Sequence, residues 1–195
     1  LGLLGVSYHR PAMAFLGFAG GLLHVVNHAF FKSLLFLSAG SVLHACETRE
    51  MDHLGGLMKR MPLTGLAFLV GSVAICGLPP LNGFVSEFMI YLGSLHPLAN
   101  SLGQSYAAPA AGLVVVGALA LIGGLAVACF TKAFGTIFLG EPRGEHAAHA
   151  VESGPAMRIP MAILAVACFA VGLSGPPMLE LMKPAVDVLA RGDAR

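Results

Sequence analysis

The sequence predicts an all-α integral membrane protein, a helical bundle of about four to five crossings that includes one discontinuous transmembrane helix. Of the 195 residues, 56% are hydrophobic and only 11% are charged, whereas soluble domains carry about 25% charged residues. The mean hydropathy is +0.81. The apolar residues form long blocks, and about 20 helical residues are enough to cross a hydrocarbon core of about 30 Å. Lipid is therefore the expected solvent for most of the chain.

The bundle is predicted within residues 1–177, ahead of a C-terminal tail at residues 178–195. The first span runs from Pro11 to Ala45, and a proline suits the first turn of a helix. The later spans are predicted at residues 62–96, 109–139 and 159–174. Two polar segments, residues 46–61 and 140–158, are expected to be extramembrane loops, and the uncharged stretch 97–108 connects two spans.

The span at residues 62–96 is interrupted by Pro79, Pro80, Asn82 and Gly83. The two halves are either two short crossings joined by a turn, or one helix broken at mid-membrane, as in transporters that expose backbone groups to an ion. In the second alternative both polar loops lie on one side. That side would then hold most of the basic residues of the loops: Arg49, Lys59, Arg60, Arg143 and Arg158, against Arg10 and Lys183 opposite. The positive-inside rule favours the broken helix, with loop 46–61 cytoplasmic.

His24, His28 and Lys32 recur at every fourth residue of the first span, so they follow one face of a helix. The histidines could simply hydrogen-bond neighbouring helices, and Lys32 could extend towards an interface. However, Lys32 has about 20 residues of the span before it, and an ionisable side chain at such depth is by default functional. All three residues are candidate proton carriers.

Glu87 lies one turn into the helix that follows the Pro-Pro-Leu-Asn-Gly segment. A glutamate at a helix start often faces a solvated loop, but the flanking residues Val85, Phe88 and Met89 are apolar. Glu87 is therefore a candidate proton carrier within the membrane. Lys132, near the end of the span at 109–139, is either an interfacial lysine or a carrier on an exit path.

Other chemistry is not indicated. The four cysteines are scattered, and His146 and His149 lie in a solvated loop without a second cluster of ligands, so no metal site is predicted. No nucleotide fingerprint or nucleophile motif occurs, so no cofactor and no catalytic residue is expected. A net charge of +1 without a basic patch argues against a nucleic-acid partner.

The segment from His24 to Phe36, with the spacing H-x3-H-x3-K-x-L-L-F, precedes Leu54-Gly55-Gly56-Leu57 and the G-F-x-x-E-F motif at residues 83–88. Motifs of this kind in this order resemble the antiporter-like membrane subunits of complex I and of group 4 hydrogenases. Around Lys132, residues 128–142 resemble the hydrogenase-4 component B and formate hydrogenlyase branch most. Mrp-type cation/proton antiporter subunits are part of the same group.

This resemblance implies a fold of two inverted repeats, of which the chain would be the C-terminal portion. It implies that Lys32, His24 and His28 form a central half-channel and that Glu87 links this channel to the periplasmic exit. The chain would be a non-catalytic proton-pumping subunit of an inner-membrane oxidoreductase, with other membrane subunits as its partners. The alternatives are an Mrp-type Na+/H+ antiporter subunit and a non-functional truncated remnant, because the first repeat is absent.

Overall fold

The computed structural model describes residues 1–99 and 106–191, and helices are the only regular elements in these two segments. Eight α-helices occur in the described residues: α1 Gly2–Ser7, α2 Pro11–Cys46, α3 Pro62–Ile75, α4 Asn82–Ala99, α5 Ala107–Phe138, α6 Glu145–Ala148, α7 Pro155–Leu173 and α8 Gly175–Arg191. Two short 3-10 helices, Met51–His53 and Leu57–Lys59, shape the loop after α2.

The lengths and composition of these helices suit a membrane. Three of the described helices, α2, α5 and α7, are long and apolar enough to cross one, and α3 is a shorter apolar helix. The 36 residues of α2 reach about 54 Å, more than the hydrocarbon core, so this helix is tilted or projects beyond it. The prediction of an all-α membrane protein is confirmed, while the number of crossings stays a prediction.

The helix break lies between Ile75 and Asn82. It contains a cis peptide bond between Pro79 and Pro80, and Gly77 has φ +64°, a left-handed conformation that favours glycine. Gly83 lets the first turn of α4 cross the last turn of α3, because a Cβ atom there would lie 1.9 Å from the carbonyl oxygen of Ala74. The 14 residues of α3 reach only about 21 Å, so this helix ends before it could cross the core alone.

The long helix α2 lies at the centre of the bundle and packs against α1, α3, α4, α7 and α8. Buried apolar side chains fill three clusters along it. The cluster nearest the loops includes Cys46, Phe68 and Phe138; the middle one includes Phe31, Leu34 and Leu81; the third includes Ala19, Leu23, Met89 and Val186.

The two polar loops contact each other. The backbone nitrogen of Gly56 donates to the carbonyl oxygen of Leu139 over 2.9 Å, and Lys59 pairs with Glu141 over 2.6 Å. The guanidinium of Arg143 donates to the carbonyl oxygens of three residues, Met51, Asp52 and Thr136. Loops that touch lie on the same side of a membrane, which is what the broken-helix alternative requires.

Three helix ends differ from the sequence-based boundaries. Helix α7 begins at Pro155 rather than near residue 159, since proline suits a first turn, and Arg158 is therefore helical. Helix α4 continues through Pro97 to Ala99, and the rest of the stretch predicted as a connection falls partly on residues 100–105, outside the described residues. The predicted tail is helical up to Arg191 and packs against α2; residues 192–195 also lie outside the described residues.

Candidate functional site

A buried polar network joins α2 to the start of α4. His24 Nδ1 lies 3.1 Å from the hydroxyl oxygen of Ser86. Asn27 Nδ2 donates to the carbonyl oxygen of Asn82 over 2.8 Å and to Ser86 Oγ over 3.3 Å. In return, Asn82 Nδ2 donates to Asn27 Oδ1 over 3.2 Å. Asn27, Asn82 and Ser86 are all 0% exposed, so these contacts are shielded from solvent and lipid.

The local structure of α4 explains why these side chains point at α2. Asn82 is the first residue of the helix, and its Oδ1 accepts a hydrogen bond from the backbone nitrogen of the next residue, Gly83, over 3.1 Å. Ser86, one turn later, donates to the carbonyl oxygen of Gly83 over 3.0 Å. On α2, Gly20 permits a close approach, because a Cβ atom there would lie 3.0 Å from the carbonyl oxygen of Ser86.

Glu87 is the residue after Ser86, but its side chain contacts Gly77 at the helix break rather than α2. Its carboxylate lies against Gly77 at the break, so that a Cβ atom on Gly77 would be 2.3 Å from Glu87 Oε2. The half-buried side chain borders a cavity of about 220 Å³ between α4 and α5, lined by Cys76, Gly77, Phe84, Tyr91, Gly123 and Gly124 among others. A cavity of that size has room for water, and the Glu87 carboxylate and Tyr91 are polar groups in its otherwise mostly apolar lining. The carboxylate can therefore exchange protons with water on this side.

The structure separates the members of the predicted ladder on α2. His24 faces α4, whereas His28 is exposed and Lys32 is half-buried, about 80° around the helix from His24. Each fourth residue of a helix advances by about 40°, and this drift turns Lys32 away from α4. Lys32 Nζ lies 5.8 Å from the ring centre of Phe36, a cation–π distance. The rings of His24 and His28 are 6.4 Å apart between centroids, and both contact Phe31.

Glu87, Lys32 and Lys132 are not brought into contact with one another. Lys132 is exposed on α5, eight residues beyond Gly124, which lines the cavity of Glu87. Eight helical residues span about 12 Å. Among the described residues, Lys32 makes no hydrogen bond and no ion pair.

Sequence reasoning missed two members of the network, Asn27 and Ser86, and named Asn82 only as part of the helix break. A signal existed for Asn27, which is a polar residue between two histidines of an apolar helix. Ser86 carried little signal, because a serine in an apolar helix can bond to its own helix backbone.

A second polar cluster, also missed, lies at the loop end of α3. The carboxylate of Glu152 accepts hydrogen bonds from the backbone nitrogens of Leu63 and Thr64, over 2.9 and 3.4 Å, and from the Thr64 hydroxyl. Thr64 Oγ1 lies 2.9 Å from Ser41 Oγ, which also hydrogen-bonds Ser153. Glu152 thus caps α3, whose preceding residue makes no side-chain cap.

Comparison with known proteins gives a consistent set of matches. Residues 3–102 match the family model described as NADH:quinone oxidoreductase/Mrp antiporter, transmembrane. Formate hydrogenlyase subunit 3 of Escherichia coli K12 is 42% identical over 187 residues, which are 96% of this chain and 30% of that protein. Hydrogenase-4 component B of the same strain is 42% identical over 172 residues, 88% of this chain and 25% of that protein.

A solved structure has the same fold. The Mrp complex from Dietzia sp. DQ12-45-1b contains a chain that superposes with a TM-score of 0.76 and 23% identity, over 92% of this chain and 39% of that one. By comparison, the chain spans 30% of the length of formate hydrogenlyase subunit 3 and 25% of the length of hydrogenase-4 component B.

Proposed function

We propose, on the premise that this chain belongs to the NADH:quinone oxidoreductase/Mrp antiporter membrane family, that it translocates protons as part of a membrane-bound hydrogenase or complex I-like oxidoreductase. Within such an assembly the chain would be a non-catalytic proton-pumping part without a cofactor of its own. The names of its relatives, a formate hydrogenlyase subunit and a hydrogenase component, support this branch of the family.

The observation that carries the proposal is the polar network from His24 through Asn27 and Ser86 to Asn82, placed at a helix break and next to Glu87. Buried polar groups inside apolar helices are costly and occur where an ion or proton must pass. The contact between the two polar loops supports the interpretation of α3 and α4 as one crossing that is interrupted at the network.

Each residue has a definite part in this proposal. His24 Nδ1 can donate a proton to the Ser86 hydroxyl oxygen over 3.1 Å, because that hydroxyl gives its own proton to the Gly83 carbonyl and accepts through its lone pairs. Glu87 takes up or releases a proton at the cavity between α4 and α5. His28 and Lys32, further along α2 and beyond the part that α4 covers, would continue the path towards a neighbouring membrane segment, and Lys132 would serve an exit path along α5.

We further propose that the chain is a multi-pass component of the inner (plasma) membrane, with other membrane subunits as its partners. Its relatives are named as subunits or components of larger proteins, and the apolar helices α2, α5 and α7 fit a bilayer. The more basic loop side would face the cytoplasm.

Na+/H+ antiport is a second candidate. The side chains of Asn27, Asn82 and Ser86 are joined by hydrogen bonds at the break, and each carries an oxygen of the kind that suits a hard cation. A sodium-linked function predicts that a pH gradient across vesicles collapses faster when Na+ is added, and that Asn82→Ala removes this effect.

The test of proton translocation uses the membrane complex that co-purifies with the chain, reconstituted in vesicles and supplied with its electron donor. Glu87→Gln and Lys32→Ala are each expected to abolish proton uptake, measured with a pH-sensitive dye, while assembly stays intact. Glu145→Gln, at an exposed carboxylate in the loop, is the matched control and should pump normally. Normal pumping by Glu87→Gln or Lys32→Ala would exclude the proposed roles. If no electron-transfer subunit co-purifies, the chain is a remnant or belongs to another assembly.

A further inference from the structure

An apolar groove runs along the outside of the bundle between α3 and α7. Its volume is about 590 Å³, and its walls include Leu66, Val70, Ala162, Val166 and Phe169. Several of these side chains are exposed, Leu66 to 51% and Val166 to 67%. The groove therefore opens to the outside of the described residues, and α7 is long and apolar enough to lie in the hydrocarbon of a bilayer.

A single cation, Arg158, lies among the groove-lining residues. It belongs to the first turns of α7, which begins at Pro155 next to the polar loop. Among the described residues, its Nε is a buried side-chain nitrogen without a hydrogen-bond partner. The Arg158 side chain is half-buried and forms no ion pair among the described residues, so the accessible part of its guanidinium is available to an anionic oxygen at the loop end of the groove.

We propose that this groove binds an anionic phospholipid, with the phosphate on Arg158 and an acyl chain along the apolar walls. The geometry fits an amphiphile, because the charge lies at the end of the groove next to the polar loop and the rest of the groove is apolar. The N-terminus of α7 adds a positive partial charge at the same place. Guanidinium groups prefer phosphate oxygens, which a lipid headgroup presents at the membrane interface. This proposal is independent of proton translocation.

The chain contains no tryptophan, so one introduced tryptophan is a clean reporter. Phe169→Trp places it in the groove wall, 11 residues and about 16 Å along α7 from Arg158, at the depth of the middle of an acyl chain. The purified chain is reconstituted in vesicles of dioleoylphosphatidylcholine that contain increasing fractions of phosphatidylglycerol or phosphatidylcholine with brominated acyl chains. Bromine quenches tryptophan fluorescence only at short range.

We expect brominated phosphatidylglycerol to reach half of its maximal quenching at about fivefold lower mole fraction than brominated phosphatidylcholine. Arg158→Gln in the same background should remove this preference. Arg60→Gln, at an exposed arginine of the loop after α2, should retain it. As a second control, Leu113→Trp on the exposed face of α5 should be quenched equally by both lipids. Circular dichroism checks that every variant is folded. If Arg158→Gln does not fold, Arg158→Lys takes its place, because it removes the guanidinium but keeps the positive charge.

Equal quenching of Phe169→Trp by the two lipids would overturn the proposal, since the groove would then hold only bulk lipid. An equal loss of preference in Arg60→Gln and Arg158→Gln would also overturn it, because the attraction would be a general surface charge effect. Absence of quenching by either lipid would show that a protein segment fills the groove.

Discussion

Asn27 on α2 and Asn82, the first residue of α4 after the helix break, hydrogen-bond each other in both directions. Asn27 Nδ2 donates to the backbone carbonyl of Asn82 over 2.8 Å, and Asn82 Nδ2 donates to Asn27 Oδ1 over 3.2 Å. A reciprocal pair satisfies polar groups on both helices and fixes their register. The start of α4 is therefore held to the middle of α2 by side chains rather than by chain connectivity.

Removing both members of this pair should cost less than the sum of the costs of removing each one alone. Asn82→Ala removes the side-chain donor to the buried Asn27 Oδ1, at a cost of about 1–3 kcal/mol, while Asn27 Nδ2 keeps its two acceptors, the backbone carbonyl of residue 82 and Ser86 Oγ. The double variant Asn27→Ala/Asn82→Ala should cost less than the sum of the single variants, which unfolding in mixed detergent micelles would measure. Ser94→Ala, on the same helix and bonded only within it, is the matched control. Additive effects in this double-mutant cycle would contradict the reciprocal pair.

Gly77→Ala should disturb the position of Glu87. A methyl group there would meet the carboxylate at 2.3 Å, and the left-handed backbone of φ +64° adds about 1–2 kcal/mol for a residue other than glycine. We expect a lower melting temperature, with part of the loss recovered in Gly77→Ala/Glu87→Ala because the clash is then absent. Gly135→Ala is the control, since a Cβ atom there meets nothing within 4 Å. No recovery in the double variant would mean that backbone strain alone is responsible.

Glu152→Ala should destabilise the loop end of α3. It removes the acceptor for the backbone nitrogens of Leu63 and Thr64, and loss of a helix cap typically costs about 1 kcal/mol. Hydrogen exchange at these two amides, followed by mass spectrometry, should become faster. Glu145→Ala, in the same loop but exposed, should leave the exchange unchanged. Unaltered protection in Glu152→Ala would show that water or another group caps the helix.

Val186→Ala should loosen the packing of α8 on α2. Val186 is 0% exposed and lies in one cluster with Ala19 and Leu23. The loss of two buried carbon atoms should cost about 1.5 kcal/mol. Val188, two residues further on the same helix, is 55% exposed, and Val188→Ala should change the stability by less than about 0.5 kcal/mol. Equal effects of the two substitutions would argue against the docking of α8.

The ion pair of Lys59 and Glu141 should give a small pH dependence. Lys59, at 2.6 Å, holds the pKa of the Glu141 carboxyl below its usual value through a hydrogen bond and its charge. A lower pKa in the folded state means that the pair stabilises the protein above the unfolded value of about 4.3, and that this contribution is lost as the pH falls through the folded value. The melting temperature of Glu141→Gln should therefore be slightly lower than that of the parent chain at pH 7 and equal to it at pH 2. An equal difference at both pH values would point to a cause other than ionisation. The effect is small because the pair is exposed.

The helices and the break were predictable because their causes are local. Apolar blocks of sufficient length, prolines at first turns and the Pro-Pro segment act within the chain, so α2, α3 and α5 begin close to where the sequence places them. The family resemblance was identified from the two motifs that contain Lys32 and Glu87, and the family match and the named relatives confirm it. The roles of these two residues stay predictions.

The partners of the polar side chains were not predictable, because they depend on how distant helices pack. His24 is 62 residues from Ser86, and Glu152 is 88 residues from Thr64. Nothing near Glu152 in the sequence distinguishes it from Glu145, which is exposed in the same loop. Helical spacing placed His24, His28 and Lys32 on one face, but it could not say that α4 covers only the start of that face.

The hydrogen bonds in the cluster at the loop end of α3 all run in one direction, which follows from counting the protons of its hydroxyl groups. Each hydroxyl has one proton to donate. Thr64 donates its proton to the Glu152 carboxylate, so it must accept from Ser41, and Ser41 must accept from Ser153. One negative charge thus orients three hydroxyl groups that belong to α2, α3 and the segment before α7. Replacing Glu152 with alanine removes the acceptor that sets this direction, so the row of three hydroxyls then has no preferred order of donor and acceptor.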